Sequence, residues 1–107
     1  MSFNKYEVIY MVKPDVREDE ILKLIKQYHS LVKQCGGKNI FMQHQGRRHL
    51  SYEIAKYRDA IYIQMNFEGN GKLVQKLAKN IRFDDNIIRH LTSKQIENHK
   101  EVVLSTL

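Results

Sequence analysis

The chain has a single cysteine, a single proline, five glycines and no tryptophan among 107 residues. With no second thiol beside Cys35, an internal disulfide framework and a four-thiolate zinc site are both excluded, which favours a reducing compartment. No stretch approaches the about 18 to 20 continuous apolar residues of a membrane span. The opening Met1-Ser2-Phe3-Asn4-Lys5 runs directly into patterned sequence, so neither a signal nor a transit peptide is expected. Acidic residues are outnumbered, 12 Asp and Glu against 18 Lys and Arg, leaving a formal charge of +6. That excess favours polyanionic partners, although soluble proteins without a nucleic-acid role carry it too. The length suits one domain, which at this size buries only about two-thirds of its unfolded surface.

Periodicity supplies the elements. Lys5 to Val12 alternates, with Tyr6, Val8, Tyr10 and Val12 on one face, and Lys13-Pro14-Asp15 ends the strand. The acids Asp15, Glu18, Asp19 and Glu20 suit the positive end of a helix whose stripe is Ile21, Leu24, Ile25, Tyr28, Leu31, Val32 and Cys35. Gly36-Gly37 closes it. Lys38 to Ile54 reads as one long strand with a bulge or bend at Gly46. Ala55 to Asp59 is the expected hairpin loop, and Ala60 to Phe67 the third strand. Lys72 to Ile81 has helical spacing, and Ile87 to Thr92 is the last strand. Strand, helix, strand, strand, helix, strand predicts an α+β, ferredoxin-like split βαβ (βαββαβ) domain over residues 1–95: a four-stranded antiparallel sheet with two helices on one face. Residues 96–107 form a C-terminal tail, in which Val102-Val103-Leu104 has the composition to dock.

Catalytic constellations are hard to find. Cys35 lies in a core stripe, where a cysteine serves as a small hydrophobe. His44, His49, His90 and His99 lack metal-ligand spacing, and Asp84-Asp85 reads as a solvated turn. Gly69-Asn70-Gly71-Lys72 is too short for a Walker loop, and Lys13 to Arg17 lacks the glycine-rich geometry of a phosphate-binding catalytic loop. The basic residues Arg47, Arg48, Lys56, Arg58, Arg82 and Arg89 are interleaved with His49, Tyr52, Tyr57 and Tyr62, a mixture suited to gripping phosphates and stacking bases. The plainer reading is a charged sheet face with cross-strand pairs. The third strand lacks the basic-glycine-aromatic run of an RNA-recognition motif.

The segment Gly46-Arg47-Arg48-His49-Leu50-Ser51-Tyr52-Glu53-Ile54-Ala55 resembles, at every position, the signature of the bacterial and organellar small-subunit ribosomal protein six family. Tyr6-Glu7-Val8, Lys13-Pro14-Asp15, Gly36-Gly37 and Asp85 to Leu91 resemble that family in the expected order. The resemblance implies a structural, non-enzymatic constituent of the small ribosomal subunit, without cofactor, metal, membrane or small-molecule substrate. It also implies binding to the central domain of the small-subunit ribosomal RNA together with the eighteenth small-subunit protein. The matching RNA contacts are Arg47, Arg48 and Arg89, followed by Lys5 and Lys56. Leu50 and Ile54 are read as folding residues and Tyr52 as packing. Residues 57–67 are similar to cyanobacterial and plastid members, so a plastid ribosome is expected, with the bacterial cytoplasm as alternative. The competing class is a small-molecule or metal-binding regulatory domain of the same fold.

Overall fold

The computed structural model describes the backbone of residues 3–96 and 100–106 and the side chains of residues 3–95, so Met1, Ser2 and His99 lie outside the described residues. In chain order the elements are β1 (Asn4–Val12), α1 (Glu18–Gln34), β2 (Lys38–Ile54), β3 (Tyr57–Gly69), α2 (Gly71–Arg82), β4 (Ile87–Ile96) and β5 (Lys100–Thr106). The sheet is antiparallel in every pairing, in the order β2-β3-β1-β4-β5. Its first four strands and two helices make the expected split βαβ unit. The addition is β5, which pairs along β4 from Leu91↔Thr106 to Ile96↔Lys100. Weak side-chain patterning hid this strand, because an edge strand is held by backbone hydrogen bonds that any residue but proline supplies.

One sheet face carries both helices. Tyr6, Val8, Tyr10 and Val12 of β1 stand opposite Phe67, Met65, Ile63 and Ile61 of β3, and all eight are buried. Onto them α1 packs Ile21, Leu24, Tyr28 and Val32, and α2 packs Leu73, Val74, Leu77 and Ile81. Cys35 sits partly buried against this cluster, as its place in the helical stripe requires. The acids Glu18, Asp19 and Glu20 fill the first turn of α1, where they complement the helix dipole. At its end Gly36 takes φ +90°, and Gly37 N–H donates to Val32 O at 2.8 Å. A Cβ on Gly37 would lie 2.8 Å from that same oxygen, which is why a second glycine follows the first. The turn before α2 is an N-cap: Asn70 Oδ1 accepts from Leu73 N–H at 2.9 Å.

Asp84 differs from the solvated turn read in the sequence. Tyr28 donates its hydroxyl proton to Asp84 Oδ2 at 2.7 Å, and Asn86 N–H donates to Asp84 Oδ1 at 3.0 Å. The carboxylate therefore fastens α1 to the turn that leads into β4. Leu50 and Ile54 are also corrected: both are only partly buried and stand outside the core cluster. β1 ends at Val12 opposite Ile61, so the distal half of the β2–β3 hairpin has no third strand paired beside it among the described residues.

His90 lies buried on the helix-bearing face, opposite Tyr10. Burial, and then the positive charge of Arg82, hold its pKa below the usual histidine value. The folded state thus favours the neutral ring, and its contribution is complete above the unfolded pKa of about 6.5. It is lost as pH falls through the lower, folded pKa. The melting temperature is expected to drop as pH falls below about 6.5, and less steeply in His90→Gln. Equal slopes in the two proteins would place the acid sensitivity elsewhere.

Candidate nucleic-acid interface

The face away from the helices is built mainly from β1, β2, β3 and β4. Lys5, Glu7, Ile9 and Met11 of β1 point there, as do Tyr62, Gln64, Asn66 and Glu68 of β3, and Arg89, Leu91, Ser93 and Gln95 of β4, because directly opposed residues share a face. On β2 the alternation changes phase at Gly46. The register shifts between His44 and Gly46, and Gly46 takes φ +88°, with open space on the side where a Cβ would stand. This is the expected bulge. Before it, Phe41, Gln43 and Gln45 share the open face; after it, Arg48 does, and beyond a second register shift between His49 and Ile54 the Tyr52 hydroxyl reaches Arg89 on that face.

Strand alternation puts the neighbouring arginines on opposite faces, and the phase set at Gly46 decides which takes which. Arg48 places its guanidinium 5.2 Å from the centre of the Tyr62 ring on the open face. Arg47 lies on the other face, where its Nη2 sits 3.2 Å from Asp59 Oδ2, and His49 pairs with the same carboxylate. Arg89 joins Arg48 on the open side: its Nη1 donates to the Tyr52 hydroxyl at 3.1 Å, while its buried Nε makes no hydrogen bond among the described residues. β3 and β1 separate β2 from β4 in the sheet, so this contact requires the distal hairpin to curl over the open face. Tyr52 is 64% exposed, which corrects the packing role expected of it. Its partner lies 37 residues further along the chain, and only the folded sheet brings the two together.

The hairpin tip is shorter than expected. Ile54 pairs with Tyr57, leaving Ala55 and Lys56 as the two turn residues, with φ +50° and +72°. Paired left-handed residues match the twist of a two-residue hairpin, but neither Ala nor Lys advertises such a turn in the sequence. Lys56 is exposed at this tip. Lys5 stands at the opposite end of the sheet, exposed beside Glu68 and Gln95. Of the five candidate contacts, Arg48 and Arg89 are thus brought together, while Arg47, Lys56 and Lys5 are dispersed. The middle of the open face is amphipathic: Ile9, Met11, Leu91 and Tyr62 are half-buried, beside a ladder in which Gln45 donates to Gln64 and Gln64 donates to Asn66 Oδ1 at 2.9 Å. No group of three or more metal-ligating side chains occurs among the described residues, and none of the described helices is long and apolar enough to cross a membrane.

The chain is thus a ferredoxin-like α+β domain with helices on one side of its sheet and a basic, aromatic, amphipathic surface on the other. The family model for ribosomal protein S6 matches residues 5–94, and the chain belongs to the ribosomal protein S6 family, a family of structural proteins and not of enzymes. It is 54% identical over 100 residues to "Small ribosomal subunit protein bS6c" of Porphyra purpurea, covering 94% of this chain and 89% of that protein. It is 41% identical over 101 residues to "Small ribosomal subunit protein bS6" of a Cyanothece strain, covering 94% and 95%. A crystal structure of 30S ribosomal protein S6 from Thermotoga maritima superposes with a TM-score of 0.81 at 27% identity, covering 87% of this chain and 88% of the other. Plastid-type red-algal relatives together with cyanobacterial ones support the plastid ribosome expected from the sequence, and a bacterial ribosome is consistent with the same relatives.

Proposed function

We propose that this chain binds the central domain of small-subunit ribosomal RNA jointly with the eighteenth small-subunit protein, supporting assembly of the subunit and translation. The observation that carries the reading is the convergence of Arg48, Arg89, Tyr52 and Tyr62 on one open sheet face of a ribosomal protein S6 family member. Guanidinium groups meet phosphates there, the amphipathic centre suits a protein partner, and an exposed phenol ring is available to an unstacked base. No chemical step is involved; the work is binding and shape. Lys56 at the tip and Lys5 at the far end add longer-range attraction, and Arg47 takes part once it exchanges Asp59 for phosphate. The residue range 1–95 is the binding unit in this reading, with 96–107 an appended segment.

The test is an electrophoretic binding assay on central-domain RNA, with and without the partner protein, at two salt concentrations. Weak binding alone, stronger binding with the partner and a loss at higher salt are expected. Absence of binding in every lane, with both proteins folded, overturns the reading.

A further inference from the structure

The helix α2 lies on the side of the domain opposite the open face, and its charge is unlike that of α1. Lys72, Lys76, Lys79 and Arg82 are all exposed, and the sequence Gly71-Lys72-Leu73-Val74-Gln75-Lys76-Leu77-Ala78-Lys79-Asn80-Ile81-Arg82 contains no acid. None of these four cations takes part in an ion pair among the described residues. In contrast, α1 carries three acids in its first turn, where Glu20 pairs with Lys23 and with Arg17 at the cap, although Lys26 and Lys33 make no ion pair among the described residues. Cations near the C-terminal end of α2 are explained by the helix dipole, but Lys72 is not: it occupies the first turn, where the dipole disfavours positive charge and no acid offsets it.

Spacing and shape add to charge. Lys72, Lys76, Lys79 and Phe83 follow one another at steps of four, three and four residues, so they share one stripe, with successive groups about 4.5 to 6 Å apart along the axis. That interval is comparable to the separation of neighbouring phosphates on a nucleic-acid strand. The stripe ends on Phe83, which is 73% exposed, the most exposed large hydrophobic side chain among the described residues. Beside it runs a groove walled by Val74, Ala78, Lys79, Arg82 and Phe83 with Tyr6 at its base. The nearby acids are Asp84, committed to Tyr28 and Asn86, and the exposed Asp85.

We propose that α2 is a second phosphate-binding surface, which takes a ribosomal RNA strand along the Lys72–Lys76–Lys79 stripe with Phe83 against a base or sugar at its end. The domain then holds RNA on both sides of its sheet. This rests on the RNA-binding reading above, and goes beyond it in adding a surface outside the open face.

The test is the salt dependence of RNA affinity for the full chain in the presence of the partner protein. Lys72→Gln, Lys76→Gln and Lys79→Gln combined are compared with a control in which Lys23, Lys26 and Lys33 of α1 are changed to Gln, removing the same charge from the other helix. Loss of three phosphate contacts lowers the magnitude of the slope of log affinity against log salt by about two, and weakens binding roughly tenfold near 0.1 M salt. The α1 control is expected to change both by much less, with melting temperatures unaltered in each. Phe83→Leu is expected to weaken binding while keeping the slope. Equal losses in the two triple variants, or an unchanged slope in the α2 variant while wild type binds, overturns the α2 surface alone; failure of wild type to bind RNA overturns both readings. An acidic protein seated on α2 is read from the same variant as lost association with that protein at unchanged RNA slope, and this too overturns the proposal.

Discussion

Changing Arg48 and Arg89 together to alanine is expected to reduce affinity for small-subunit ribosomal RNA roughly ten- to a hundredfold at moderate salt, with the fold retained. Each guanidinium offers a charge-assisted hydrogen bond to phosphate, and such bonds contribute about 1.5 to 3 kcal/mol, part of which water replaces when the group is removed. Both groups occupy the open face and both are already oriented, Arg48 by the Tyr62 ring and Arg89 by the Tyr52 hydroxyl, so little ordering is left to be done on binding. Folding depends on them less. The Arg48–Tyr62 contact contributes about 0.5 to 1 kcal/mol at an exposed site, and the Arg89–Tyr52 bond is exposed as well. Arg47→Ala is the contrasting variant: its guanidinium points to the other face and is engaged by Asp59, so a smaller loss is expected. Filter binding against a salt series decides the matter. A larger loss from Arg47→Ala alone than from the double variant would move the RNA to the opposite side of the hairpin.

The second large effect concerns stability and divides two tyrosines that face each other in the core. Tyr10 and Tyr28 meet edge to face with ring centroids 5.6 Å apart, and both are fully buried. Burial raises the pKa of both phenols; at Tyr28 the hydrogen bond to Asp84 and that group's negative charge raise it further, so the hydroxyl stays protonated and able to donate. Tyr28→Phe removes a hydrogen bond to a charged acceptor and is expected to cost about 1.5 to 3 kcal/mol. Tyr10→Phe has the opposite expectation. The Tyr10 hydroxyl is buried with no hydrogen-bond partner among the described residues, so deleting it relieves a desolvated polar group and leaves stability equal or slightly higher. Urea unfolding of the two variants measures the difference directly. A Tyr10→Phe loss as large as that of Tyr28→Phe would mean that the Tyr10 hydroxyl has a partner in solution.

The sequence was most informative where one physical pattern dominated. β1 and β3 alternate because their two faces meet different surroundings, and α1 shows its stripe because one side of a solvated helix must be apolar. Pattern reading failed where a residue's surroundings come from far along the chain. Asp84 reads as a turn residue until Tyr28 is placed over it, and Tyr52 reads as packing until the hairpin curls it toward Arg89. Leu50 and Ile54 alternate as core residues do, yet they belong to an arm that outruns the core. At the candidate interface the signature residues identified the hairpin but could not separate Arg47 from Arg48, since that assignment depends on where the bulge falls.

The bulge at Gly46 behaves like a reading frame. From Gly46 to His49 each residue has its face set by one unpaired residue, up to a second register shift between His49 and Ile54, and the faces carry different chemistry: the Arg48 guanidinium on one, an Arg47–Asp59–His49 cluster on the other. Removing Arg47 would move Arg48 into its place opposite Ile61 and away from Tyr62. Removing one residue from each strand at matched positions would shorten the arm by a rung, while removing a second residue from the same strand would restore the phase. The phase of the hairpin, more than its length, therefore determines which side chains this part of the arm presents.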